Sequence, residues 1–147
     1  MSESPSIIGL GADHAGRDFK KLFKKHLALK GYQIIDFGVA DDVLKADYPE
    51  IAGKVAKAVK DGTCHFGVLI CGTGAGMAMA ANRYPGVRAA SCPSQYVASL
   101  ARAHNDANIL TLGQRVLGPD LALAILDTFL TTSFEGGRHQ NRVEMMG

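Results

Sequence analysis

Apolar and polar positions along this chain alternate between two periods, and each switch marks an element. Residues 6–11 (S-I-I-G-L-G) are a short apolar run that reads as a strand. Residues 17–30 change to a helical period. Phe19, Leu22, Phe23 and Leu27 share one face, Arg17, Lys20, Lys21, Lys24 and Lys25 lie on the other, and Gly31 ends the helix. Residues 32–37 return to β-branched and aromatic types and predict a second strand. After a polar loop at 38–48, Pro49 opens a helix with Ile51, Val55, Ala58 and Val59 on one face, closed by Gly62. The run F-G-V-L-I-C at 66–71 is a third strand, followed by a small-residue helix to Asn82 and a turn at Pro85 and Gly86. Residues 87–91 and 108–112 predict strands four and five, with a helix at 94–103 between them. A last helix at 119–130 carries Leu123, Ile125, Leu126 and Phe129, and the tail from 134 to 147 is polar and Arg-rich with no evident core face.

Strands that alternate with helices over short connections predict a parallel sheet covered on both sides. The expected fold class is α/β: one three-layer α/β/α domain over residues 1–147, built on a five-stranded parallel Rossmann-like sheet. A length of 147 residues with 47% hydrophobic and 20% charged residues suits one soluble domain with a sizeable core. The net charge of +2 argues against a nucleic-acid or membrane surface, and the basic face of 17–30 reads as solvated. No long apolar span and no signal-peptide pattern occur, and residues 1–6 are polar. Three cysteines, Cys64, Cys71 and Cys92, form an odd set without metal-type spacing, which points to a reducing compartment and so to the cytoplasm.

Candidate chemistry concentrates where the third strand breaks into glycines. Cys71 ends the strand, and Gly72, Thr73, Gly74, Ala75 and Gly76 form a strand-to-helix turn whose amides favour an anion. Open α/β sheets bind ligands at this end of their strands. The first strand ends similarly, in G-A-D-H-A-G at 11–16, with Asp13 beside His14; as an alternative, Asp13 caps the following helix. Neither glycine cluster has dinucleotide-binding spacing, and Arg17-Asp18 stands where a P-loop needs Lys and Ser or Thr. His104 and Asn105 lie where a helix runs into strand five; the plainer reading makes them a helix cap and a turn former. Arg138 and Arg142, four apart, suit one phosphate if helical, or else belong to a solvated tail. Arg115 lies upstream of them. The set contains a thiol, amides, histidines, a carboxylate and guanidiniums, with no metal triad or cofactor fingerprint. It fits proton transfer on a small phosphorylated molecule without a cofactor.

Six ordered motifs carry a resemblance along nearly the whole chain: G-A-D-H-A-G, D-Y-P at 47–49, C-G-T-G-x-G, A-A-N-R-x-P-G-V-R-A, H-N-D-A-N and F-E-G-G-R-H-Q-x-R-V. Together they resemble the ribose-5-phosphate isomerase type B family, whose relatives also act on galactose 6-phosphate and allose 6-phosphate. The resemblance implies that Cys71 is the base moving a proton between the first two sugar carbons, and that residues 72–76, with the Thr73 hydroxyl, hold the enediolate oxygens. It implies His104 as the acid opening the furanose ring, with Asp13 as partner. His14, Arg115, Arg138 and Arg142 become phosphate or substrate contacts, Asn105 a sugar contact, and the 134–147 tail part of the phosphate site. In a second form of the family the base is a glutamate past the glycine loop; here that position is Met77, so Cys71 keeps the role. The resemblance further implies no cofactor or metal, and a homodimer with shared active sites, with a tetramer as the alternative. Two competing readings are a hexose-phosphate isomerase of the same family and a non-catalytic sugar-phosphate-binding module. A redox role for Cys71 lacks a neighbouring resolving cysteine.

Overall fold

A computed structural model describes residues 6–147; of the polar start, residues 1–5 lie outside the described residues. Five strands, β1 (Ile7–Ala12), β2 (Gln33–Asp36), β3 (Phe66–Cys71), β4 (Ala89–Ser91) and β5 (Ile109–Gly113), form one sheet in the order β2-β1-β3-β5-β4. Every pairing is parallel. The helices are α1 (Arg17–Leu29), α2 (Tyr48–Lys60), α3 (Ala75–Ala81), α4 (Gln95–Ala103), α5 (Pro119–Thr131) and α6 (Arg138–Met146). The α/β expectation holds, with helices on both faces of the sheet.

Alternation along the strands divides the core in two. Val68 and Ile70 of β3 point to one face, with Phe23 and Leu27 of α1, Ala98 of α4, and Ile125 and Phe129 of α5. Leu69 and Cys71 point to the other, with Ile51 and Val55 of α2 and Met77 and Ala81 of α3. On this second face β1 and β3 present glycines, and α2 packs directly on them. A Cβ at Gly11 would stand 2.6 Å from Ile51, and one at Gly67 2.6 Å from Val55.

Two expectations change. Strand four begins two residues later than predicted, because the Arg88 amide donates to the Asn108 side chain rather than to a ladder carbonyl. The 134–147 tail is not featureless: it forms α6, which buries His139 and Val143 against the rest of the chain. Its apolar stripe is a single valine, and a histidine takes the other inward place. A hydropathy pattern registers little there.

The strand order creates the ligand position. The chain leaves β1 for the α1 side of the sheet and leaves β3 for the α3 side, so their connections diverge. A crevice opens between such connections at the carboxyl ends of adjacent strands. The motifs at 11–16 and 71–76 both end there, and the Asp13 amide joins them by donating to the Ile70 carbonyl at 3.2 Å.

Candidate active site

Cys71 is the last residue of β3 and is 5% exposed. Its Sγ accepts the Gly74 amide at 3.2 Å, so the turn folds back over the sulfur. A donor aimed at sulfur supports negative charge there. Gly74 holds this pose with φ at +88°, a left-handed conformation that disfavours a side chain. Its carbonyl accepts the buried Thr111 hydroxyl at 2.8 Å, pinning the turn from below. The Thr73 hydroxyl accepts the Ala75 amide at 3.3 Å. Ala75 begins α3 instead of belonging to the loop, and the amides of Gly76 and Met77 follow in its first turn, where no helical carbonyl precedes them.

Around this thiol the crevice gathers the other carboxyl-edge candidates. Arg115 donates its amide to the Gly72 carbonyl at 3.0 Å and lays its guanidinium over Gly72, where an added Cβ would lie 3.3 Å from Nη1. Asp13 is buried; its Oδ1 accepts the Ala15 amide at 2.9 Å, so it caps the single turn at His14–Gly16, while α1 itself starts after Gly16 without a side-chain cap. His14 is exposed and its Nδ1 lies 3.3 Å from the Ala46 carbonyl. A carbonyl only accepts, so in this contact Nδ1 is the donor. Met77 is fully buried in the core, away from any role at the surface of the crevice.

Sequence reasoning missed Tyr48. Its ring covers Gly76, where a Cβ would stand 2.8 Å from Cε1. The D-Y-P motif was the available signal, but it reads equally well as a helix start.

His104, Asn105, Arg138 and Arg142 are elsewhere. The helix α4 runs back against the strands and ends at His104, beside the amino end of β5. Cys71 pairs with Gly113 at the opposite end of that strand. Four residue steps alone separate the two edges by about 13 Å, so one chain does not bring His104 to its own Cys71. The Glu135 amide donates to the Ala103 carbonyl at 2.9 Å, which holds α6 at the same amino edge. Arg138 and Arg142 are exposed on α6, four apart as the shared-anion reading requires, and make no ion pair among the described residues. Asn105 is exposed on a cavity of about 410 Å³ that it shares with Arg88, Tyr84 and Met146, remote from Cys71. Asp106 and Asn108 of the same motif are structural. Asp106 pairs with Arg88 and the buried Arg102, and Asn108 clamps the 86–88 turn.

His104, Glu135 and His139 bring two imidazoles and a carboxylate within 4.8 Å, a ligand set of the kind zinc uses. The rings are nearly parallel, at 12°, and Arg138 and Arg142 add positive charge beside them, which disfavours a cation there.

The fold places a cysteine and a glycine turn at the crevice of a doubly wound sheet, and similarity to known proteins specifies the class. The ribose/galactose isomerase family model matches residues 8–146. The chain belongs to this family of aldose–ketose isomerases. It is 46% identical over 137 residues to ribose-5-phosphate isomerase B of Escherichia coli K12, covering 93% of this chain and 91% of that one. It is 41% identical over 140 residues to the D-erythrulose-4-phosphate isomerase of Pectobacterium atrosepticum, with 95% and 92% covered. A solved ribose-5-phosphate isomerase B from Clostridium thermocellum superposes with a TM-score of 0.94 at 51% identity, covering 96% of this chain and 95% of that one.

Proposed function

We propose that this protein interconverts ribose 5-phosphate and ribulose 5-phosphate without a cofactor, with Cys71 as the base. The observation that carries the reading is the Cys71 sulfur, held by the Gly74 amide at the crevice between β1 and β3. In the open-chain aldose the Cys71 thiolate removes the C2 proton. The freed electron pair forms a C1–C2 double bond and leaves negative charge on O1. Turn amides and the Thr73 hydroxyl lie beside that charge, and one such preorganised donor contributes on the order of 2.7–4 kcal/mol. Return of the proton to C1, with transfer of the O2 hydroxyl proton to O1, completes the ketose. Phosphate binding remote from the reacting carbons holds the chain in place.

The same reading requires a homodimer. His104, Asn105, Arg138 and Arg142 of one protomer face the Cys71 crevice of its partner, which supplies the acid and guanidiniums that a single chain keeps at its far edge. In ring opening His104 protonates the ring oxygen as the C1–O4 bond breaks. Asp13, with Oδ1 engaged at Ala15, takes the O1 hydroxyl proton through Oδ2. The three free, buried thiols suit a reducing compartment, and the cytoplasm is the proposed location. No helix among the described residues is long and apolar enough to cross a membrane.

The test is turnover of ribose 5-phosphate, allose 6-phosphate, galactose 6-phosphate and erythrose 4-phosphate by the wild type and by Cys71→Ala. Ribose 5-phosphate is expected to have the highest kcat/KM. Cys71→Ala should retain phosphate-ligand binding and lose turnover. A variant with wild-type rates removes Cys71 from the chemistry, and preference for another sugar replaces the substrate.

A further inference from the structure

Behind His104 lie two groups that this scheme leaves unused. Glu135 is fixed by its amide to Ala103, the residue before His104. Gly136 and Gly137 then turn the chain into α6, whose second residue is His139. The His139 ring stacks on the His104 ring, with centroids 4.2 Å apart and planes at 12°. Nε2 of each imidazole lies 3.8 Å from the same Glu135 Oε1. The three side chains grade from the inside outward. His139 is 7% exposed, His104 33% and Glu135 57%.

His139 is the unusual member. Its buried Nε2 has no hydrogen-bond partner, a costly state unless something else fixes it. Burial pushes its pKa below the ordinary imidazole value, and His104, Arg138 and Arg142 push the same way against Glu135. Two stacked imidazoles do not both ionise cheaply, since the first charge opposes the second. The other charged groups at this edge, Arg88, Arg102 and Asp106, are committed to one another. His139 is therefore the buried slab of the pair and His104 the ring nearer solvent, with the Glu135 carboxylate set against the edge of both.

We propose that Glu135 and His139 are positioning residues for His104: His139 sets the plane of its ring by stacking on it, and the Glu135 carboxylate fixes the direction of its Nε2 edge. This rests on His104 being the ring-opening acid. In this role neither residue touches the substrate, and both act through His104.

The experiment is a double-mutant cycle on the full-length protein. His139→Phe keeps a flat buried ring and removes its nitrogens; Glu135→Gln keeps shape and removes charge. Each is made alone and with His104→Asn, and its melting temperature is checked. Each variant alone should lower kcat for ribose 5-phosphate about ten- to a hundredfold with little change in KM. Neither should add to the loss caused by His104→Asn. The second readout is imidazole ¹⁵N NMR, in which His139→Phe and Glu135→Gln should each move the ring resonances of His104. Losses that add to His104→Asn, no loss at all, or His104 resonances unmoved in both variants would overturn the proposal. If His104→Asn itself leaves ribose 5-phosphate turnover unchanged, the underlying reading of His104 fails instead. Erythrose 4-phosphate separates the two further, because its O4 carries the phosphate and no furanose ring can form. Turnover of this sugar should be spared in all three variants.

Discussion

Cys64, Cys71 and Cys92 are all buried, yet they differ in which partner the sulfur meets. Cys92 donates its S–H to the Ala90 carbonyl, and burial pushes its thiol up to about 12. Burial, reinforced by Asp61, also raises Cys64. Both are inert packing residues. Cys71 instead accepts an N–H, and this reversal of direction at sulfur separates it from the other two. In the sequence the distinction was legible only through the glycines that follow Cys71. Arg142 shows the converse, since its type and spacing suggest an anion but a solvated tail has the same letters. If Arg142 holds phosphate, Arg142→Ala should raise KM for ribose 5-phosphate roughly ten- to a hundredfold, as expected for a charged hydrogen bond of about 1.5–3 kcal/mol. Turnover of unphosphorylated ribose, however slow, should change little. An unchanged KM in steady-state assays would move the phosphate to another part of the crevice.

Elements with strong periodicity were legible in advance; β3 runs over Phe66–Cys71 as predicted, and the other strands shift at their ends by one or two residues. Elements held by polar contacts were not. The helix α6 is anchored by a histidine stack and one valine, and the start of α2 by packing of Tyr48 on Gly76. A further polar tie joins α1 to β2. Lys20, 5% exposed, and Lys24 both reach Asp36, and Lys20 also donates to the Val39 carbonyl. Burial raises the Asp36 pKa, but the Gly38 amide, Lys20 and Lys24 together outweigh it and leave the carboxyl below its ordinary value of 3.8. A carboxyl lowered on folding contributes stability in full above that ordinary value and loses it as pH falls through the folded one. Asp36→Asn should cost about 1.5–3 kcal/mol at neutral pH, because it removes the counter-charge of the buried Lys20 ammonium, which keeps its bond to the Val39 carbonyl. In urea titrations the gap between wild type and variant should narrow as pH drops below that value. A gap that does not vary with pH would mean that the pair contributes through packing alone.

At the scale of the whole molecule, the alternation of strands and helices was enough for the sheet and its two covered faces. It did not give the strand order, because a crossover to either side of β1 leaves the same sequence pattern. The opposite placement of His104 and Cys71 was within reach. A helix that runs into a strand ends at that strand's amino edge, while Cys71 ends a strand at the carboxyl edge, but the two facts were not combined. That placement has a consequence in genetics. If the site is shared between protomers as proposed, two alleles, one encoding Cys71→Ala and the other His104→Asn, would each specify a protein impaired in ribose 5-phosphate turnover. Expressed together they would, on that reading, form mixed dimers with one doubly damaged site and one in which both residues are native. Random pairing of equal amounts restores about a quarter of the sites, so co-expressed or co-refolded variants should recover about that share of wild-type activity. Separately purified variants mixed without subunit exchange should recover none. A co-refolded mixture that stays inactive would mean that each crevice works with its own chain alone.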